Sequence, residues 1–184
     1  METFRVRHHW LAFFGFRGGR SWRVGAAGEQ AVAAQLATLG PAWRILHAVR
    51  VGTKGADIDH VAIGPTGVFT VNAKNHPNGR VWVSGETFIV NGKRYPYIRN
   101  SRHEAECASR LLSQATGFPV RAIAIIAVMG AQKGLKIKSL PQDGMVFVVA
   151  RRRIALHIAG QSNRLSPHAV EAIYEVARRS TTWR

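Results

Sequence analysis

DIDHVAIGPTGVFTVNAK, residues 57–74, sets two apolar runs on either side of Gly64-Pro65-Thr66-Gly67, a composition that marks a turn between strands. If Ile63 pairs with Val68 across that turn, the rest of the ladder follows. Val61 meets Thr70, Asp59 meets Asn72 and Asp57 meets Lys74. A two-residue or four-residue turn gives this register, whereas an odd-length loop shifts it. Because strand side chains alternate, Asp57, Asp59, Asn72 and Lys74 are expected on one face at the open end, with Ile58, Ala62, Phe69 and Val71 covering the other. Opposed Cβ atoms lie about 4.5–5.5 Å apart, so two carboxylates, an amide and an ammonium converge in one small volume.

Upstream, GAAGEQAVAAQLATLG (25–40) reads as a helix with Val32, Leu36 and Leu39 on its buried face and Gly40-Pro41 as its stop. Glu29 shares that face. It either caps the first turn, where negative charge is favoured, or points into a site at the edge of the core. WRILHAVRV (43–51) reads as a strand. Downstream, RVWVS and TFIVNGK form an added hairpin, and RNSRHEAECASRLLSQATG (99–117) a helix. That helix is expected to be capped by Asn100 or Ser101, to carry the stripe Ala105, Ala108, Leu112 and Ala115, and to end at Gly117. VRAIAIIAVMG and MVFVVA read as buried strands and ARRRIALHIAG as a short helix. Ser166-Pro167 opens a C-terminal helix through Arg179. The order predicts one α/β domain with a mixed sheet, over residues 25–184, behind a basic and aromatic arm of residues 1–24.

The chain of 184 residues carries 26 Lys and Arg against 10 Asp and Glu, a formal charge of +16 with pI near 11.6. Such a balance favours a polyanionic partner, nucleic acid or an anionic membrane surface. Cys107 is the only cysteine, which excludes an intramolecular disulfide and a thiolate zinc site and agrees with a cytoplasmic placement. AIAIIAVMGA (122–131) is far shorter than the roughly 20 residues that span a bilayer. The arm interleaves Arg17, Arg20 and other basic residues with tryptophan and phenylalanine. That mixture suits stacking on bases while pairing phosphates, or contact with an anionic membrane surface. Its apolar centre is short and lacks a small-residue cleavage pattern, so no signal peptide is expected. Arg151, Arg152 and Arg153 are further candidates for phosphate contact.

A carboxylate on one strand, a polar residue and a lysine at x-Lys spacing on the next, and a glutamate on a helix suit phosphodiester hydrolysis. Hard oxygen ligands hold Mg²⁺ or Mn²⁺, and a neighbouring lysine orients water or offsets charge on the phosphate. His60 faces away from Asp59 and is expected to be a packed histidine. His76, His103 and Glu104 can line the cleft. Arg102, Glu106 and Arg110 have the spacing of a solvated charged face.

GEQ (28–30), IDHVAIGPTGVF (58–69) and NAK (72–74), in an αβββαβ order, resemble the nuclease-related domain, NERD, a branch of the PD-(D/E)XK nuclease-like superfamily. The resemblance covers about residues 25–130. It implies a restriction-endonuclease-like αβββαβ core with a mixed central sheet, to which this chain adds a β-hairpin and a C-terminal helix. It further implies a metal-dependent nuclease, with Glu29 at the first-helix acid, Asp59 at the metal-binding aspartate, Asn72 at the second acid and Lys74 at the lysine. Metal ligation would fall to Asp59, Glu29 and Asn72, with DNA ahead of RNA as substrate. The pattern usually has an acid where this chain has Asn72. An amide oxygen ligates a hard cation but brings no charge. The alternative is therefore a nucleic-acid-binding module that has lost its activity. Asp57, on the same face, either compensates as a ligand or forms a cross-strand ion pair with Lys74.

Overall fold

The computed structural model describes residues 20–52 and 56–184; the arm before Arg20, with Arg17, lies outside the described residues. At the GPTG turn, β2 (Ala56–Gly64) and β3 (Gly67–Asn75) pair antiparallel, with Gly64 opposite Gly67, Ile63 opposite Val68 and Val61 opposite Thr70. The even-length turn sets that register. The Thr66 hydroxyl donates to the Ile158 carbonyl at 2.8 Å, and the Pro65 carbonyl accepts from the Arg164 and Leu165 N–H groups. The turn is thus fastened to the C-terminal part of the chain.

Strand β1 (Arg44–Val51) extends the hairpin antiparallel beside β2, while β7 (Ala122–Met129) and β9 (Val146–Ala150) add on in parallel beyond β3. The resulting five-stranded sheet runs β1-β2-β3-β7-β9. The predicted hairpin of β4 (Val81–Ser84) and β5 (Thr87–Val90) is the middle of a second sheet. Its edges are β6 (Lys93–Tyr95) and β8 (Leu135–Ser139), in the order β6-β5-β4-β8.

Helices cover both faces of the larger sheet. On one side α1 (Arg20–Leu36) and α3 (Ile154–Ala159) bury Val32, Leu36, Ile154 and Ile158 against Ala62, Phe69, Val71 and Ile125. On the other, α2 (Tyr97–Thr116) and α4 (Pro167–Ala177) pack Ala105, Ala108, Leu112, Val170 and Ile173 against Val61, Ile63, Val68 and Ile126. The smaller sheet adds Val81, Val83, Phe88 and Val90 to that second core. Among the described residues no helix is long and apolar enough to cross a membrane.

Several local expectations are corrected. Helix α1 starts upstream of Gly25, at Arg20, and gives way to a 3-10 turn at Ala37–Leu39. Helix α2 starts at Tyr97, after Pro96, with no side-chain cap; Ser101 is buried and Ala115 exposed. Its end is as expected, with Gly117 left-handed and its N–H on the Ser113 carbonyl, as is the Ser166 cap, whose hydroxyl accepts from the Ala169 N–H. Ile58 belongs to the α2 side of the sheet rather than with Ala62. Strict alternation fails there because Ala48, between the positions paired to His60 and Ile58, has φ of 52°. Arg102 is not a solvated charge: its guanidinium takes both carboxylate oxygens of Glu86 at 2.6 and 2.8 Å and that of Asp143 at 2.7 Å. It ties α2 to the β4–β5 turn.

His60 is fully buried and opposes His47 across β1 and β2, with Nδ1 to Nδ1 at 2.7 Å. Burial lowers both imidazoles, and the neighbouring His47 helps bring His60 to about 3. The unfolded chain takes up these protons near pH 6.5 and the folded chain does not. Stability is therefore complete above about pH 6.5 and falls as pH drops through that value, by up to about 1.4 kcal/mol per pH unit for each histidine. Glu29, raised to about 7, works the other way over the same interval, so the histidine effect is read as a difference. Between pH 7.5 and 5.5, urea unfolding is expected to show stability falling more, or rising less, in the native protein than in His47→Gln/His60→Gln; equal slopes refute the assignment.

Candidate active site

The β2–β3 ladder runs as predicted from Gly64–Gly67 to His60–Val71 and stops there. Beyond it β2 remains with β1, through Arg50–Asp57 and Val51–Ala56, while β3 remains with β7, through Asn72–Ile126 to Asn75–Met129. The hairpin opens into a fork. In place of the missing strand partner, the Asp59 carboxylate accepts the Ala73 N–H at 2.7 Å. The expected pairs of Asp59 with Asn72 and Asp57 with Lys74 are accordingly not ladder pairs. Exposed Asp57 instead faces Arg50 on β1, 3.8 Å from its Nε, so it is neither opposed to Lys74 nor inside the fork.

Asn72 is buried, and its side-chain amide donates to Glu104 Oε2 on α2 at 2.5 Å. With its nitrogen on Glu104, the Asn72 amide has its Oδ1 turned elsewhere. Helix α1 lies on the opposite face, yet the Glu29 carboxyl is near enough to feel the charges of Asp59 and Lys74. Gly28 makes that possible: a Cβ on it would sit 3.2 Å from Asn75 Cβ and 3.4 Å from Met129 Sδ, closer than a side chain there tolerates without displacement. The Gly-Glu pair is one device, the glycine admitting the helix and the glutamate using the approach.

The carboxyls of the fork are held above their ordinary range. Burial pushes Glu29 up to about 7, with the Asp59 carboxylate adding to the rise, Lys74 opposing it and Asp57 adding less. Burial likewise raises Asp59, against the Lys74 ammonium and the Ala73 N–H. Burial also raises Glu104, against Lys74 and the Asn72 amide, with Asp59 contributing a rise. One lysine is thus felt by three carboxyls, and its Nζ lies 5.2 Å from the centre of the Tyr97 ring. Glu29, Asp57, Asp59 and Glu104 are four of the ten acidic residues. In a chain of formal charge +16, their gathering at one sheet end is a local concentration of acid.

The remaining candidates separate. His60 is the packed histidine that was expected, His103 is exposed, and His76 lies against Tyr95 and Tyr97. Glu104 joins the fork. Tyr97 borders Lys74 and Tyr95 stacks on Tyr97; neither stood out in the sequence, because no motif marks them. Arg20 is the first residue of α1. Arg151–Arg153 form a 3-10 turn directly after β9, where Ala150 is level with Val128 and Val128 with Lys74. The turn therefore leaves the sheet at the same end as Lys74, two strand spacings or roughly 10 Å across. Arg152 and Arg153 are exposed, and Arg151 also donates to the Ala31 carbonyl on α1.

A mixed sheet opened at one hairpin end, with acid, amide and lysine on the two tines, defines an α/β protein with a nuclease-like core. Residues 24–128 match the sequence model of the nuclease-related domain, NERD; this is more than half of the chain, and the chain belongs to that family. No curated protein and no solved structure matches it.

Proposed function

We propose that this protein is a divalent-metal-dependent nuclease that hydrolyses phosphodiester bonds in DNA or RNA, with DNA ahead of RNA. The observation that carries the reading is the fork, which sets Asp59, Asn72 with its Glu104 partner, and Lys74 around one opening that Glu29 reaches from α1.

The donor set fits a hard cation in chemistry, since every candidate ligand is an oxygen and the carboxyls crowded there without a cation are raised above their ordinary range. Among the described residues no three His, Cys, Asp or Glu side chains already form a metal cage; Asn72 completes the set with an amide oxygen. Asp59 and Glu29 would hold Mg²⁺ or Mn²⁺ together with Asn72 Oδ1, and Glu104 supplies the negative charge that position 72 lacks. Bound there, the ion lowers the pKa of water and offsets charge on the phosphate.

The remaining work belongs to the chain itself. Lys74 places an ammonium beside the carboxyls, where it can donate to a non-bridging phosphate oxygen or orient the attacking water. The Ala73 N–H holds one Asp59 oxygen, and the other is the one that would serve a cation. The Arg151–Arg153 turn offers positive charge to the flanking backbone. Cleavage of single-stranded DNA, duplex DNA and RNA with Mg²⁺, with Mn²⁺ and with EDTA tests the reading. Metal-dependent product is expected on at least one substrate. Binding without cleavage under every condition would favour the inactive binding module.

A further inference from the structure

The proposed hydrolysis leaves unused an aromatic column that begins at Lys74. Its Nζ is 5.2 Å from the centre of Tyr97. Tyr97 stacks on Tyr95, with ring centres 5.0 Å apart and planes 24° from parallel. Lys93 Nζ is in turn 5.5 Å from the centre of Tyr95. His76 lies against both rings at 5.5 and 5.7 Å. Phe88 backs Tyr97 edge-on at 5.1 Å. The column leads from the fork to the edge strand β6, where Lys93 is exposed.

Core packing accounts for part of this cluster, because both tyrosines rest on the hydrophobic core. It does not account for an ammonium at each end of a stacked pair. Lys74 has the Glu29, Asp59 and Glu104 carboxyls beside it, whereas Lys93 makes no ion pair among the described residues, in a chain already at +16. Nor does packing account for His76 Nε2, which is buried and has no hydrogen-bond partner among the described residues. A ligand with a flat face and a phosphate on either side answers all three features. The outer face of Tyr95, backed by Tyr97, offers stacking once the Lys93 ammonium moves from it to a phosphate, and the imidazole meets a polar base edge. In a duplex the base faces are already occupied by their neighbours, so only an unpaired nucleotide can use such a ledge.

We infer that Tyr95, Tyr97 and His76 form a subsite for an unpaired base flanking the reacting phosphate, with Lys74 and Lys93 taking the phosphates on its two sides. The substrate class is therefore single-stranded nucleic acid, or a strand end or flap. This rests on the nuclease reading for the identity of the reacting phosphate, while the binding itself needs no cleavage.

Equilibrium binding of a short fluorescent oligonucleotide, as single strand and as duplex, in EDTA tests the subsite. The native protein is expected to prefer the single strand. Tyr95→Leu is expected to weaken single-strand binding about 5- to 100-fold, from the loss of one stacking partner, and to leave duplex binding within about twofold. Tyr95→Phe should retain the native preference. Because Tyr95 also touches the core, exposed Lys93 provides a second variant. Lys93→Glu should weaken single-strand binding several-fold more than Lys138→Glu, an equal charge change at an exposed position on β8. A duplex preference in the native protein overturns the subsite, as does unchanged single-strand binding in Tyr95→Leu, or equal losses in the two lysine variants. If the native protein cleaves nothing with Mn²⁺ while these variants behave as expected, the hydrolytic reading falls and the subsite stands. If cleavage depends on Asp59 while these variants bind as the native protein does, the reverse holds.

Discussion

Asp59→Asn is expected to lower Mn²⁺-supported cleavage by at least about 100-fold while leaving the fold in place. Asparagine is the informative replacement because its carbonyl oxygen can still accept the Ala73 N–H that Asp59 accepts at 2.7 Å. Alanine would remove that acceptor along with the charge and leave a part-buried N–H unpaired, at about 1–3 kcal/mol. Loss of rate in Asp59→Asn therefore reads the charge rather than the strand end. Lys74→Met should lose about 10²- to 10³-fold, the usual cost of a charge-stabilising donor. It keeps an unbranched apolar stem of similar reach beside Tyr97. Initial rates and thermal melts of the same preparations check both. Native rates in either variant would remove that residue from the site.

The second large effect concerns where the missing acid has gone. Glu104→Gln should slow cleavage about 10- to 100-fold, the range for a group that supports metal ligands. Asn72→Asp, the obvious repair, should fail on its own. It sets a carboxylate where the Asn72 amide now meets Glu104 at 2.5 Å, and two carboxylates in such contact cannot both ionise. The double exchange Asn72→Asp/Glu104→Gln restores an amide–carboxylate bond with the roles reversed and one charge kept. Its rate should return to within about tenfold of native, a coupling that independent sites would not show. The opposite pattern, gain in Asn72→Asp and silence in Glu104→Gln, would mark Asn72 as the remnant of a lost site.

Much of this was legible in residues 57–74. An even-length turn at GPTG admits one register, and the pairs from Gly64–Gly67 to His60–Val71 follow it. The extent of the ladder was not legible, because it depends on neighbours. β2 is held by β1 and β3 by β7, and the two pairings draw the hairpin apart where Ala48 turns left-handed. Strand β8 was missed for a different reason. LKIKS alternates apolar and polar residues over only five positions, is largely exposed and pairs in parallel with β4, more than fifty residues earlier, so nothing near it in the sequence marks its partner. Strand β6 is three residues long, too short for any period. Glu29 and Glu104 could be named as candidates, but their approach to the fork depends on the close seat of Gly28 and on the bond to Asn72. Tyr95 and Tyr97 reach Lys74 only through the stacking of a segment far along the chain.

The bond from the Ala73 N–H to Asp59 has a use outside chemistry on a phosphate. A backbone proton hydrogen-bonded to a carboxylate experiences that group's charge directly. The nitrogen and proton resonances of Ala73 therefore form a native gauge of the ionisation of Asp59. It can be read in the intact ¹⁵N-enriched chain, with no added reporter group and no substrate, while pH or metal concentration is varied.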